Sequence, residues 1–275
     1  MITIRTQGGL GNQMFQYAAA LAQAERLGVP LEIDNSMNGL NSYRPFNLSL
    51  FGIPERIVGE KAATYHERGV EYSDDINDIL DDSVLVGYFQ SELYFNGISS
   101  LVRQRLTPPS IRPELGNREA LTFFGDILAA GRNATMVGIR RGDYVEKAHY
   151  HGVMPDAYYT EALSVITSEV TPDPVLFIFT DDPDWVESNL VFPYESHLYR
   201  GKITVPGRIG TETNDLALMS YCNSAIIPNS SFHWWGAWLR DHKRTGKVVA
   251  PMTWFTDAVA QSQSGDIVPD RWFRV

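Results

Sequence analysis

From residue 134 to residue 250 the chain repeats a single pattern, a short apolar run followed by a stretch of helical length. Thr135-Met136-Val137-Gly138-Ile139-Arg140, Val175-Leu176-Phe177-Ile178-Phe179-Thr180, Ser224-Ala225-Ile226-Ile227 and Lys247-Val248-Val249-Ala250 read as strands. Between and after them, Ala157 to Val170, Asp184 to Leu190, Asp215 to Cys222 and Phe232 to Arg240 read as helices. A strand apolar along its whole length needs cover on both faces, and parallel neighbours need a crossover of helical length. The alternation therefore predicts a doubly wound parallel sheet, with ligands at the carboxyl ends of its strands.

The amino-terminal part opens in the same way. Ile2 to Thr6 alternates like a strand, Gln7-Gly8-Gly9-Leu10-Gly11-Asn12-Gln13 makes a glycine turn, and Met14 to Leu27 has strong helix propensity until Gly28-Val29-Pro30 stops it. Leu31-Glu32-Ile33-Asp34 and Val84 to Gln90 read as further strands. With 275 residues the chain is long enough for two α/β halves. Ala129-Ala130-Gly131-Arg132-Asn133 is the expected joint, giving domains 1–130 and 131–275.

A net charge of −10 excludes a general nucleic-acid binder, whose backbone contacts need a basic face. An acidic chain that holds an anion must gather its arginines in one place. The lone Cys222 rules out an intrachain disulfide and a cysteine-rich zinc site, and its surroundings suggest a buried thiol. Met1-Ile2-Thr3-Ile4-Arg5 reads as a strand and not as a signal peptide, and no apolar run approaches the roughly 20 residues of a membrane span. A cytoplasmic location is expected, with peripheral membrane association left open.

Several strand-end loops carry polar residues that could do chemistry. In the glycine turn, Gly9, Gly11 and Asn12 lie where free N–H groups and a helix dipole favour a phosphate, although a tight turn packing helix on sheet explains them as well. Arg140-Arg141-Gly142-Asp143-Tyr144 follows an apolar strand. Paired guanidinium groups there suit an anion, with Asp143 holding one and leaving the other for a ligand; a structural salt bridge is the alternative. Asp181-Asp182-Pro183-Asp184 contains an Asp-x-Asp that could take a divalent metal, but an aspartate N-cap followed by proline is preferred and no metal is expected. Asn229-Ser230-Ser231 offers hydroxyl and N–H groups at a helix start. Asp215 reads as the cap of the helix before it, with a carboxylate able to accept two N–H groups from a guanine edge. Trp234 and Trp235 suit core or sugar platform, and His149 and His151 suit surface or substrate contact.

Together these segments resemble the α-1,2-fucosyltransferase family. Gly8-Gly9-Leu10-Gly11-Asn12-Gln13-Met14-Phe15-Gln16-Tyr17-Ala18 is similar to that family's amino-terminal motif, and Arg140-Arg141-Gly142-Asp143-Tyr144 to the core motif shared with α-1,6- and protein O-fucosyltransferases. Gly87-Tyr88-Phe89-Gln90-Ser91-Glu92, Phe179-Thr180-Asp181-Asp182 and Asn229-Ser230-Ser231-Phe232-His233-Trp234-Trp235-Gly236-Ala237-Trp238 extend the likeness over nearly the whole chain.

The resemblance implies a GT-B-like fold of two Rossmann-like halves facing a cleft. It implies inverting, metal-independent transfer of L-fucose from GDP-β-L-fucose to the 2-hydroxyl of a terminal β-galactose, with an acceptor-side first domain and a GDP-fucose-binding second one. Arg140 would hold the β-phosphate and neutralise the leaving GDP, Asp215 would read guanine, and Ser230 and Ser231 would touch phosphate or ribose. Gly9, Gly11, Asn12, Arg141, Asp143, Asp181, Asp182 and Asn229 complete the expected donor site, and Glu146 is the expected proton acceptor. The chain departs from the motif at Gly138, where relatives carry histidine, and at His233, where they more often carry serine. Another linkage, another GDP-sugar, or a silent nucleotide-sugar binder are the alternatives.

Overall fold

The computed structural model describes residues 1–39, 45–54, 63–108, 118–200, 211–241 and 244–275. They form two compact units, Met1–Thr107 with Ser262–Pro269 and Pro108–Gln261 with Asp270–Val275.

In the first unit β1 (Ile2–Arg5), α1 (Leu10–Leu27), β2 (Leu31–Asp34), α2 (Ser36–Gly39), β3 (Ala63–His66), β4 (Ser83–Val86) and α3 (Ser99–Leu106) follow one another. The described strands make a parallel sheet in the order β2-β1-β4-β3. Ala18, Ala19 and Ala20 are buried, and their small side chains let α1 lie close on the sheet while Phe15 and Met14 fill the space beneath. Burying a side chain such as Phe15 completely contributes about 1.5–3 kcal/mol. Gly28 ends the helix at φ 66°, a left-handed conformation that glycine enters without a Cβ clash. Ser262–Pro269 returns to this unit from the far end of the chain. The Asp266 carboxylate accepts the Tyr72 N–H at 2.6 Å, the Asp266 carbonyl accepts the Ser91 hydroxyl at 3.0 Å, and Ile267 and Val268 are buried.

The second unit contains α4 (Arg118–Ala130), β5 (Ala134–Ile139), α5 (Gly142–Glu146), α6 (Asp156–Glu169), β6 (Val175–Thr180), α7 (Pro183–Asn189), β7 (Ser196–Tyr199), α8 (Thr211–Tyr221), β8 (Ser224–Ile226), α9 (Ser231–Asp241), β9 (Val248–Ala250), α10 (Ala258–Ser262) and β10 (Phe273–Arg274). All its described strand pairs are parallel, in the order β10-β9-β8-β5-β6-β7. The chain runs outward from β5 through β6 to β7, then returns to β8 on the other side of β5. That reversal puts the topological switch point between β5 and β8, where a doubly wound sheet opens a crevice. Val137 and Ile139 pack with Tyr158, Tyr159, Ala162 and Leu163 of α6. Gly138, pointing the other way, meets α9. Trp234, Trp235 and Trp238 are fully buried with ring centroids 5.1–6.1 Å apart, which makes them core and not a sugar platform.

Two expectations are corrected. The joint does not fall at 130/131, because α4 belongs to the second unit. Its buried residues Ala120, Phe123 and Ile127 form one helical stripe, and the Phe123 ring lies 5.3, 5.6 and 5.0 Å from those of Phe177, Phe179 and Tyr199. Gly131, at φ 53°, turns the chain from α4 into β5 and separates no domains. The helix expected to open at Asp215 begins at Thr211, so Asp215 sits inside α8 and does not cap it. Cys222 is buried as expected, and burial pushes its thiol up to about 12. No described helix is long and apolar enough to cross a membrane.

Candidate active site at the carboxyl edge of the second sheet

Arg140 is the residue that follows β5, at the switch point. Its guanidinium donates to Asp143 at 2.5 Å and pairs with Asp181 at 2.8 Å, and its side chain keeps 18% of its surface exposed. Burial works against the cation, but the Asp181 and Asp143 carboxylates outweigh it and raise the pKa, so the charge is secure. Asp181, at the end of β6, also accepts the Arg141 N–H at 2.9 Å and so binds both strand ends together. Gly142 makes this possible, since a Cβ there would stand 2.4 Å from Asp181 Oδ2, the atom that meets Arg140. Gly142→Ala should therefore displace Asp181 and lower kcat by up to about a hundredfold, the cost of misplacing a catalytic group by an ångström. Steady-state kinetics with unchanged circular dichroism would check this, and an unaltered kcat would refute it.

Arg141 points elsewhere. It meets Asp182 at 3.3 Å and lies 3.5 Å over the Trp185 ring. Asp182 caps α7 by accepting the Trp185 N–H, with Pro183 in the first turn, as the sequence suggests. Asp184 pairs with Arg200 at 2.9 Å, so the two carboxylates of the Asp-x-Asp serve different guanidinium groups. Asp143 holds Arg140, while Arg141, the arginine expected to be left for a ligand, pairs with Asp182; Asp143, Asp181 and Asp182 thus position guanidinium groups.

Across the switch point, the loop from β8 to α9 is held by Asn229. Its amide donates to the carbonyls of His151, Gly152 and Trp254, so the side chain clasps three segments. Ser230 is buried, and Ser231 begins α9, whose first-turn N–H groups form an anion seat beside the arginine loop. Tyr144 joins the two loops: its hydroxyl donates to the Asn229 carbonyl at 3.1 Å, and the Arg140 guanidinium carbon lies 5.1 Å from its ring centroid. His151 stacks on Tyr144 at 4.3 Å, while His149 is exposed.

Asp215 is completely buried, and among the described residues neither of its carboxylate oxygens has a hydrogen-bond partner. Burial, with Glu212 and Glu119 adding to it, pushes its pKa well above the carboxylate range. His233, 4% exposed, lies against Gly138: a Cβ on that glycine would stand 2.4 Å from His233 Cδ2 and 2.7 Å from Pro228 Cδ. The imidazole that the family motif leads one to expect at position 138 on the strand is thus absent there, and the one beside it comes from the helix. Burial, and next Arg140, push the His233 pKa down to about 3.

Gly9, Gly11 and Asn12 belong to the first unit. Gly9 precedes α1 and the other two lie in its first turn. The Asn12 side-chain oxygen Oδ1 accepts from the Gln90 amide at 2.8 Å. Gln13 donates to the carbonyls of Gly8 and Pro45, both at 2.9 Å, and Gln16 bonds both backbone groups of Gln7, so the motif's glutamines build the turn. Glu146 is exposed at the end of α5. Tyr144, Trp185, Gln13 and Gln16 stand inside motifs that sequence reading selects, yet nothing in their spacing gives their roles. Glu67 has no sequence signal at all. It accepts the Tyr88 and Phe89 N–H groups at 2.6 and 2.9 Å at the carboxyl end of β3, and burial pushes it up to about 7.

A doubly wound sheet with a carboxylate-held arginine and a helix N-terminus on either side of its switch point is the build of a protein that handles a phosphorylated ligand. The chain belongs to glycosyl transferase family 11, whose family profile matches residues 1–274. It is similar to an alpha-1,2-colitosyltransferase of Escherichia coli, 30% identical over 304 residues that cover 100% of this chain and 99% of the relative. A galactoside 2-alpha-L-fucosyltransferase of Caenorhabditis elegans is 25% identical over 98% of this chain and 81% of its own. Among solved structures, the fucosyltransferase NodZ from Bradyrhizobium superposes with a TM-score of 0.51 at 16% identity, covering 86% of this chain and 91% of that one. The last likeness concerns the fold, two Rossmann-like parallel-sheet units of the GT-B kind.

Proposed function

We propose that this glycosyltransferase moves L-fucose from GDP-β-L-fucose to the 2-hydroxyl of a terminal β-galactose, with inversion and without a metal. The observation that carries the reading is Arg140, a cation fixed by Asp143 and Asp181 at the switch point, with the N-terminus of α9 across the crevice. The acceptor hydroxyl attacks the anomeric carbon in line, the bond to the β-phosphate oxygen breaks, and negative charge grows on the departing diphosphate. Arg140 and the first-turn N–H groups of α9 stabilise that charge where it develops, the interaction that most lowers the barrier in such reactions. The paired N–H donors of a guanine edge would favour the ionised form of Asp215, whose two oxygens then accept them, while Ser230 and Ser231 supply hydroxyls for phosphate or ribose. Glu146 takes the acceptor's proton in this reading, and the reaction belongs in the cytoplasm, where nucleotide sugars are made.

Incubation with GDP-fucose and lactose, with EDTA present, should release GDP and give an α-1,2-linked product. Transfer that requires added metal would overturn the metal-free part, and GDP-fucose left intact would overturn the whole. The similarity to a colitosyltransferase favours a second donor, a GDP-linked 3-deoxy relative of fucose. Competition between the two donors at equal concentration decides between them.

A further inference from the structure

Among the described residues, Asp215 Oδ1 and Oδ2 and His233 Nδ1 are buried acceptor atoms of the second unit that have no donor. Proteins rarely leave such atoms unpaired, and a group that persists this way asks for a partner from outside the chain. Their placement is coordinated. α8 leads into β8 and α9 leads out of it to a parallel neighbour, so the two helices run side by side with their N-termini at the carboxyl edge of the sheet. They touch where Met219 fills the space beside Gly236, a Cβ on which would lie 2.6 Å from the Met219 sulfur. One turn toward the N-termini from that contact, α8 carries Asp215 and α9 carries His233.

The tautomer of His233 follows from its neighbours. Nε2 lies 3.3 Å from the Phe179 carbonyl, which can only accept, so Nε2 bears the proton and Nδ1 keeps its lone pair. Gly138 and Phe179 are register partners on β5 and β6, and the ring spans them, occupying the hollow that the missing Cβ of Gly138 leaves. A neutral ring, favoured by burial and by Arg140 nearby, is an acceptor and no phosphate ligand. A lone pair there fits an O–H or N–H donor, which in a nucleoside diphosphate means the nucleoside and not the diphosphate.

We infer that His233 Nδ1 is a nucleoside-recognition acceptor, delivered from α9 through the hollow at Gly138 and working beside Asp215. This rests on the reading of the chain as a GDP-sugar enzyme. It makes Gly138 and His233 one device, in which the glycine matters for the ring it admits.

Two substitutions separate recognition from packing. His233→Gln can still donate to the Phe179 carbonyl but lacks an acceptor at the Nδ1 position. His233→Asn places an amide oxygen there and gives up the Phe179 contact. Calorimetric titration of the full chain with GDP, IDP, 2′-deoxy-GDP and 3′-deoxy-GDP is the measurement, with thermal melting alongside. GDP should bind about tenfold more weakly to the glutamine variant, the worth of one hydrogen bond to a buried group, and within about threefold of native to the asparagine variant. At least one analogue should bind the native protein more weakly than GDP and lose that penalty in His233→Gln. Analogue-to-GDP ratios equal in all three proteins, or asparagine weaker than glutamine, would overturn the role of His233. A native protein that binds no GDP would overturn the donor reading and this inference with it, whereas GDP binding with unchanged ratios removes only His233.

Discussion

Arg140→Ala should lower kcat by about a hundredfold to a thousandfold, the loss of roughly 2.7–4 kcal/mol seen when one preorganised donor to a developing anion is removed. The fold should persist, because Arg140 follows β5 and its partners Asp143 and Asp181 keep 32% and 14% of their side-chain surface exposed, where water can take over part of their solvation. KM for GDP-fucose should rise less than kcat falls, since the charge that Arg140 meets is largest in the transition state. Arg140→Lys should rescue little. One ammonium cannot answer Asp143, Asp181 and a phosphate oxygen with the geometry of a planar fork. Turnover by Arg140→Ala within a few fold of native, in a protein with native circular dichroism, would remove the centre of the proposed mechanism.

Asp215→Asn should move stability and affinity in opposite directions. The carboxyl of Asp215 is buried without a partner among the described residues, so its pKa in the folded protein lies above its value near 4 in the unfolded chain. Between those two values the folded state binds the extra proton, and stability therefore falls as pH rises through that window. Below it the folded protein gains the full benefit, and at neutral pH or above it carries the cost of a desolvated carboxyl. Asparagine removes the titration. The melting temperature of the unliganded variant should exceed that of native protein by several degrees at pH 8, where each unit by which the folded pKa is raised costs about 1.4 kcal/mol, and the gap should close toward pH 4. GDP affinity should drop roughly tenfold to a hundredfold, because an amide offers one oxygen and a donor where the guanine edge asks for two acceptors. Melting curves across pH with and without GDP test both halves. A variant that melts below native at pH 8, or that binds GDP equally well, contradicts the assignment.

The second sheet was legible because its strands are apolar on both faces and its helices are long enough to show their period, as in β5, β6 and α6. The first helix announced itself through glycine, alanine and Gly28. Weak signals failed for identifiable reasons. β3 (Ala63–His66) and β7 (Ser196–Tyr199) are short edge strands with polar residues, and β10 (Phe273–Arg274) is shorter still. The joint was misplaced because Gly131 looks the same in a helix-to-strand turn as in a linker. At the site, sequence fixed Arg140 as a strand-end cation but gave no hint that its second holder, Asp181, would come from the neighbouring strand. Gly138 and His233 looked like two separate departures from the family motif. Only the packing of α9 on β5 makes them one exchange.

The return of Ser262–Pro269 to the first unit sets an order of assembly. Translation delivers residues 1–107 first, yet Asp266, Ile267 and Val268, which close that unit, emerge only after residues 108–261 have been made. The first unit must wait, the Tyr72 N–H and the Ser91 hydroxyl still without their Asp266 acceptors, until residues 108–261 have been synthesised. A fragment cut at the apparent joint would therefore carry the glycine-turn motif without the strap that finishes its scaffold.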